Sequence, residues 1–126
     1  MGYLVDSNVL IDYVAERFSP EQLAKLDDIF DKDLTVSVIT KIETLGFNAP
    51  DPEQKKMVQF INLANILGLS DDIVQQTIDL RKNNKLKTPD AIIAATAIVH
   101  NLPLLSRNTK DFKNIPDLTI IDPHTL

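Results

Sequence analysis

Five residues of this 126-residue chain have the types and placement for metal-assisted chemistry: Asp6, Glu43, Asp90, Asn108 and Asp111. All offer oxygen donors. Carboxylates held close together repel, and their ionised forms coexist when a cation neutralises them. Oxygen-only donors suit the hard cations Mg²⁺ or Mn²⁺ rather than zinc. Magnesium keeps waters and leans on phosphate oxygens of a substrate, so the chemistry expected is attack of water on a phosphoryl or phosphodiester group. Each residue also has an ordinary explanation. Asp6-Ser7-Asn8 is helix-capping material. Thr40-x-x-Glu43 reads as a capping box. Asn108 and Asp111 lie in a polar loop, Ser106-Arg107-Asn108-Thr109-Lys110-Asp111.

Asp90 has an internal control. Ser19-Pro20-Glu21 and Thr88-Pro89-Asp90 share one grammar, a capping hydroxyl, then Pro at N1, then an acid at N2. The two helices then diverge. After Glu21 the apolar residues Leu23, Leu26, Ile29 and Phe30 fall on one face. After Asp90 comes Ala91-Ile92-Ile93-Ala94-Ala95-Thr96-Ala97-Ile98-Val99, apolar nearly all round, which is the pattern of a buried helix. An acid opening such a helix lies near the core, where it is costly unless paired or bound to metal.

The elements that must position these groups alternate. Tyr3-Leu4-Val5 reads as a strand running into a turn at Asp6, followed by a helix from Val9 to about Arg17. Residues from Pro20 to about Lys32 read as a helix, and Leu34–Val38, β-branched and alternating, as a second strand. Helices are expected from Thr40 to about Phe47, from Glu53 to about Ala64, from Asp71 to about Asn84 behind the Ser70 cap, and from Pro89 to about Asn101. Short strands are expected at Asn65–Leu69, Leu104–Ser106 and Leu118–Ile121. Such alternation predicts an α/β fold, a three-layer α/β/α sandwich around a mainly parallel, roughly five-stranded sheet. Residues 1–126 form one domain, in keeping with a soft prior of roughly 150 residues per domain. Ligand crevices in open α/β sheets lie beyond the carboxyl ends of the strands, and four segments bring acidic or amide groups to that edge.

Composition narrows the field. The apolar fraction of 44% and the charged fraction of 25% are those of an ordinary globular domain. There is no cysteine, which excludes disulfides, a thiolate nucleophile, zinc–thiolate sites and iron–sulfur clusters. The longest charge-free stretch, Ala91–Ser106, is 16 residues long and carries His100, Asn101 and Pro103, too short and polar to span a bilayer. The opening Met1-Gly2-Tyr3-Leu4-Val5-Asp6 has no basic region of a secretory signal, so a cytoplasmic location without membrane attachment is expected. The net charge of −5 weighs against a nucleic-acid binder. Its distribution does not: Arg81, Lys82, Lys85 and Lys87 precede Asp90, and Arg107, Lys110 and Lys113 surround Asn108 and Asp111, together seven of the 13 basic residues. These would contact a phosphate backbone without reading sequence, or would simply form a solvated cationic face.

The chain resembles the PIN domains, and among them the short VapC-like toxins of type II toxin–antitoxin pairs. The stretches that carry the resemblance are Tyr3-Leu4-Val5-Asp6-Ser7-Asn8-Val9-Leu10-Ile11-Asp12, Ile39-Thr40-Lys41-Ile42-Glu43, Thr88-Pro89-Asp90-Ala91-Ile92-Ile93-Ala94-Ala95-Thr96-Ala97 and Leu104-Leu105-Ser106-Arg107-Asn108-Thr109-Lys110-Asp111-Phe112. In order and spacing they cover nearly the whole chain. The resemblance implies an endoribonuclease dependent on one or two Mg²⁺ or Mn²⁺ ions. It assigns Asp6, Glu43 and Asp90 as metal ligands and catalytic residues. Its fourth position falls on Asn108, with Asp111, the next acid along, joining the catalytic set and Ser7 supporting Asp6. With RNA as the implied substrate, the flanking Arg81, Lys82, Lys85, Lys87, Arg107 and Lys110 are the residues expected to contact its backbone. The resemblance further implies a small antitoxin that covers the site through an apolar groove with a polar or basic contact into the acids, and a homodimer, for which Glu53–Leu69 offers an apolar face that core packing explains equally well.

Two other readings compete. One is a PIN-like module that binds RNA or a partner but cleaves little, since Asn108 carries no charge. The other, a phosphoaccepting receiver-type domain, needs an acceptor Asp at the end of the third strand, and Ile66-Leu67-Gly68-Leu69 has none. A nucleotide-cradling loop is excluded by the three glycines, Gly2, Gly46 and Gly68, and a serine hydrolase by the missing G-x-S-x-G elbow.

Overall fold

The structure is a computed structural model that describes residues 2–126. Met1, the first residue of the N-terminal stretch, lies outside the described residues. In chain order the elements are β1 (Leu4–Val5), α1 (Ser7–Val14), α2 (Pro20–Lys32), β2 (Thr35–Ser37), α3 (Val38–Leu45), α4 (Asp51–Leu63), β3 (Asn65–Leu67), α5 (Asp71–Asn83), α6 (Thr88–Val99), β4 (Leu104–Leu105) and β5 (Ile120–Ile121), closed by a 3₁₀ turn at Pro123–Thr125. The five strands form one sheet in the order β3-β2-β1-β4-β5, and every pairing is parallel.

Two cores sandwich this sheet, because successive strand residues point to opposite faces. Val5, Val36 and Leu105 face one core with Val9, Leu10, Tyr13, Leu26, Phe30, Met57 and Ile61 from α1, α2 and α4. Leu4 and Leu104 face the other with Ile73, Leu80, Ile93, Ala94, Ala97 and Phe112. The apolar face of α4 is thus core, through Met57 and Ile61. The all-apolar helix is buried as its pattern requires: Ala91, Ile93, Ala94, Ala95, Thr96 and Ala97 are all inaccessible.

Two helix starts fall where the sequence grammar puts them. Ser19 and Gln22 form the reciprocal capping box of α2, and Ser70 caps α5. Two starts differ. Helix α3 begins at Val38, directly after β2, because the Ser37 side chain accepts the Ile39 N–H at 2.9 Å. One serine therefore ends the strand and caps the helix, and the expected Thr40–Glu43 capping box does not exist. Thr40 is instead fully buried inside the helix, with no hydrogen-bond partner for its hydroxyl among the described residues. Helix α6 starts one residue earlier than the Thr88 cap predicts, with Lys87 at N-cap and no side-chain cap. The carbonyl of Lys87 accepts the Ala91 N–H at 2.9 Å, which moves Asp90 from N2 to N3. No helix among the described residues is long and apolar enough to cross a membrane.

Candidate metal-dependent active site

The sheet order sets where a site can form. The chain runs outward from β1 to β2 and β3, then returns to the other side of β1 for β4 and β5. The reversal lies between β1 and β4, and the crevice beyond their carboxyl ends is the natural binding position of such a sheet. Asp6 follows β1 and Ser106 follows β4, so both stand at this point.

Asp6 is buried and is the N-cap of α1. Its Oδ1 accepts the Ser7 N–H at 2.8 Å, and its Oδ2 accepts the Ser106 hydroxyl at 2.7 Å and the Asn8 amide at 3.2 Å. The capping and the functional readings of this residue therefore coexist: three donors aim one carboxylate into the crevice. Glu43, on α3, is exposed. It is tied to Asp6 through its neighbour, for the Ser7 hydroxyl donates to Glu43 Oε1 at 2.6 Å. Asp90 is partly buried in the first turn of α6.

Asp6, Ser7, Glu43, Asp90 and Asn108 line one open cleft of about 450 Å³, together with Asn8, Ile11, Gly46 and Phe47. Burial raises the pKa of Asp6, and the Ser106 and Ser7 hydrogen bonds pull it back in part. The charges of Asp90 and Glu43 push it up further. Burial likewise raises Asp90, with Glu43 and Asp111 adding repulsion and Lys87 opposing them. The acids feel one another, as a shared site requires.

Among the described residues no three Asp, Glu, His or Cys side chains close into a ready-made metal cage. Magnesium does not need one: it is held by one or two carboxylates, with waters and substrate phosphates completing its shell. The donor set fits that mode. It is all oxygen, and each carboxylate offers about four lone-pair sites, of which the three hydrogen bonds to Asp6 leave one free.

Asn108 reaches the cleft with its amide turned toward Asp111, donating to Asp111 Oδ2 at 3.1 Å. Asp111 itself is exposed, outside the cleft lining but close enough to Asp90 to repel it. The basic residues separate into groups. Lys87 stands by Asp90, and Lys82 and Lys85 are exposed at the end of α5 and just beyond it. Lys110 lines a neighbouring cleft with Lys113 and Thr109. Arg81 donates to the Leu86 carbonyl at 3.4 Å. Arg107 is engaged by Asp12 at 2.8 Å.

Sequence reasoning gave no role to Asp12, Asn8 or Ser106. Asn8 donates to both Asp6 and Ser106, and Asp12 is a buried acid one turn further along α1. For Asn8 and Asp12 the signal available was their i, i+4 spacing, with an acid inside the apolar run of α1.

A family model described as "PIN domain" matches residues 3–118. A protein named Ribonuclease VapC from Rickettsia bellii is 30% identical, over 96% of this chain and 96% of its own length. Ribonuclease VapC1 from Methanocaldococcus jannaschii is 26% identical, over 90% of this chain and 81% of its own. Among solved structures, a chain of a toxin–antitoxin complex from Klebsiella pneumoniae superposes with a TM-score of 0.79 at 33% identity, covering 97% of this chain and 98% of that one. A chain of DNA-bound VapBC from Salmonella typhimurium shares the fold, with a TM-score of 0.83 at 20% identity, covering 98% of each.

Proposed function

The chain belongs to the PIN domain family, and from that premise we propose that it is an endoribonuclease, the toxin of a toxin–antitoxin pair, dependent on Mg²⁺ or Mn²⁺. The observation that carries this reading is the cleft at the β1/β4 reversal, lined by Asp6, which is buried, Asp90, which is partly buried, and Glu43, which is exposed at its mouth. The ribonuclease relatives support the reaction, and the toxin–antitoxin complex supports the partner.

Asp6 and Asp90 would hold the ion, and Glu43, exposed at the mouth, would complete its surroundings directly or through water. A bound divalent ion supplies a water of lowered pKa and offsets the negative charge of a phosphodiester. Ser7 holds Glu43 in orientation, and Ser106 and Asn8 hold Asp6. Lys82, Lys85, Lys87 and Lys110 would seat the RNA backbone through phosphate contacts, which fix register without reading bases. Asn108 and Asp111 act as a pair, the amide supplying a neutral donor where a fourth acid would add charge. Arg107, held by Asp12, is left out of the RNA contacts.

A small antitoxin would cover the mouth of the cleft. Ile11 and Phe47 wall it and continue into a narrow depression where Val14, Ala49 and Met57 lie beside Arg17, Glu53 and Gln54, a mixed apolar and polar path to the acids. A second copy of the chain would cover Val74 and Ile78, both exposed one turn apart on α5.

The test is cleavage of RNA by the purified protein in Mg²⁺ or Mn²⁺, in EDTA, and with Asp6→Asn and Asp90→Asn. Loss of at least about 100-fold in each variant is expected for groups that act on the reacting centre. Activity that survives both substitutions removes this site from the reaction. RNA that binds but is never cut favours the binding-module reading.

A further inference from the structure

We propose that Asp12 is a positioning residue for the nuclease reaction: by holding Arg107 it fixes the Ser106–Asn108 segment against α1, and with that segment the orientation of Asp6. The inference rests on the proposed nuclease function.

Asp12 is a carboxylate only 3% exposed within α1, and its two oxygens serve different parts of the chain. Oδ1 accepts Arg17 Nη1 at 3.0 Å, a local contact just past the end of the helix, where the Arg17 N–H also bonds the Asp12 carbonyl. Oδ2 accepts Arg107 Nη1 at 2.8 Å, 95 residues away in sequence. Arg17 alone would satisfy the helix. The second arm reaches the segment that leaves β4.

That segment is gripped again one turn earlier. Asn8 Oδ1 accepts the Arg107 N–H at 3.1 Å, and Asn8 Nδ2 donates to Ser106 Oγ at 3.3 Å and to Asp6 Oδ2 at 3.2 Å. Ser106 Oγ accepts the Asn108 N–H at 3.0 Å and donates to Asp6 Oδ2 at 2.7 Å. Asn8 and Asp12, at i and i+4, thus hold two consecutive residues, Ser106 and Arg107, and the other bonds of Ser106 end on Asp6 and Asn108, both in the cleft. Charge-assisted bonds to a buried carboxylate are short and geometrically strict, which suits a clasp.

The rival role for Arg107 is a phosphate contact, since its side chain is 53% exposed. The two roles separate in kinetics. A phosphate contact acts on RNA affinity and its salt dependence. A positioning contact acts on kcat, and removing either partner should cost the same.

The experiment measures kcat and KM for a labelled RNA cut by the wild type in Mn²⁺. It uses Asp12→Asn, Arg107→Gln, the double variant and Arg17→Ala, each checked for folding by circular dichroism and urea titration. Both single variants should lose about 10- to 100-fold in kcat, the range seen when groups that orient metal-site residues are removed. KM should stay within about twofold, and the double variant should be no worse than either single one. Arg17→Ala should keep wild-type kcat. Should Asp12→Asn fail to fold, Arg107→Gln, altered at a half-exposed side chain, carries the test, with Arg107→Lys expected to regain part of kcat. Unchanged kcat in the folded variants, or a raised KM with a shallower salt dependence, overturns the clasp and leaves the nuclease reading intact. A wild type that cuts no RNA in either metal removes both.

Discussion

The hydroxyl of Ser7 donates to Glu43 Oε1 at 2.6 Å, joining the first residue of α1 to the sixth of α3 across 36 positions of sequence. The bond links the strand-end acid, Asp6, to an acid on a separate helix. Glu43 is otherwise a solvent-exposed side chain with many rotamers. Ser7→Ala should lower cleavage about 10- to 100-fold, as the loss of an orienting hydrogen bond at a metal site does, with little change in urea stability. Cleavage at the wild-type rate in Ser7→Ala would show that Glu43 needs no such restraint.

Burial and its acidic neighbours raise Asp90 above the usual carboxylate value of 3.8. The folded protein therefore binds more protons than the unfolded chain from that value up to the raised one. Stability falls as pH rises through this window, and the full cost remains at neutral pH. Asp90→Asn removes the cost. In EDTA at neutral pH the variant should melt above the wild type, and the gap should close below pH 3.8. A lower melting temperature at neutral pH would contradict the assignment of strain to this acid.

The same cost is what a cation would relieve. Mg²⁺ or Mn²⁺ at about 100 times its dissociation constant should add about 2.7 kcal/mol of stability through binding to the folded state alone. Calorimetry in EDTA and in Mn²⁺ reads the difference, and Asp90→Asn should shrink it strongly. A melting temperature blind to both ions would argue against a cation at these acids.

Asn108 brings an uncharged amide where a further carboxylate would fit. Asn108→Asp should tighten Mn²⁺ binding several-fold, by isothermal titration, and should lower the melting temperature in EDTA, because a further charge joins a cluster that already repels itself.

Phe112 is 1% exposed and packs into the core of Leu4, Leu104 and Ile115, anchoring the segment that carries Asn108 and Asp111. Phe112→Ala should cost about 3–5 kcal/mol in urea denaturation. Cleavage should fall with it under conditions where the variant remains folded.

Much of this was legible in the sequence, for local reasons. The Ser19 and Ser70 caps, the buried helix after Asp90 and the parallel sheet stem from hydroxyl placement and hydrophobic period, and the structure has them all. The start of α3 was not legible: Thr40 and Glu43 have the spacing of a capping box, and only the tertiary path shows Ser37 ending a strand and capping a helix at once. Asp12 was hidden for a different reason. Its decisive partner is 95 residues distant, and no local rule reaches that far. That Asp6, Glu43 and Asp90 share one cleft could be read from the elements that carry them, which converge at one edge of the sheet. Their hydrogen-bond partners could not, since those depend on side-chain directions.

Asp6 both faces the cleft and accepts from Ser106 and Asn8 through one oxygen, so replacing its carboxylate also disturbs the contacts that tie the segment after β4 to α1. An inactive reference protein made at position 6 would confuse lost chemistry with loosened architecture. Position 90 lacks that double duty, because α6 begins without any side-chain cap. A harmless stand-in for producing the protein in living cells, or for trapping intact RNA on it, is better made there.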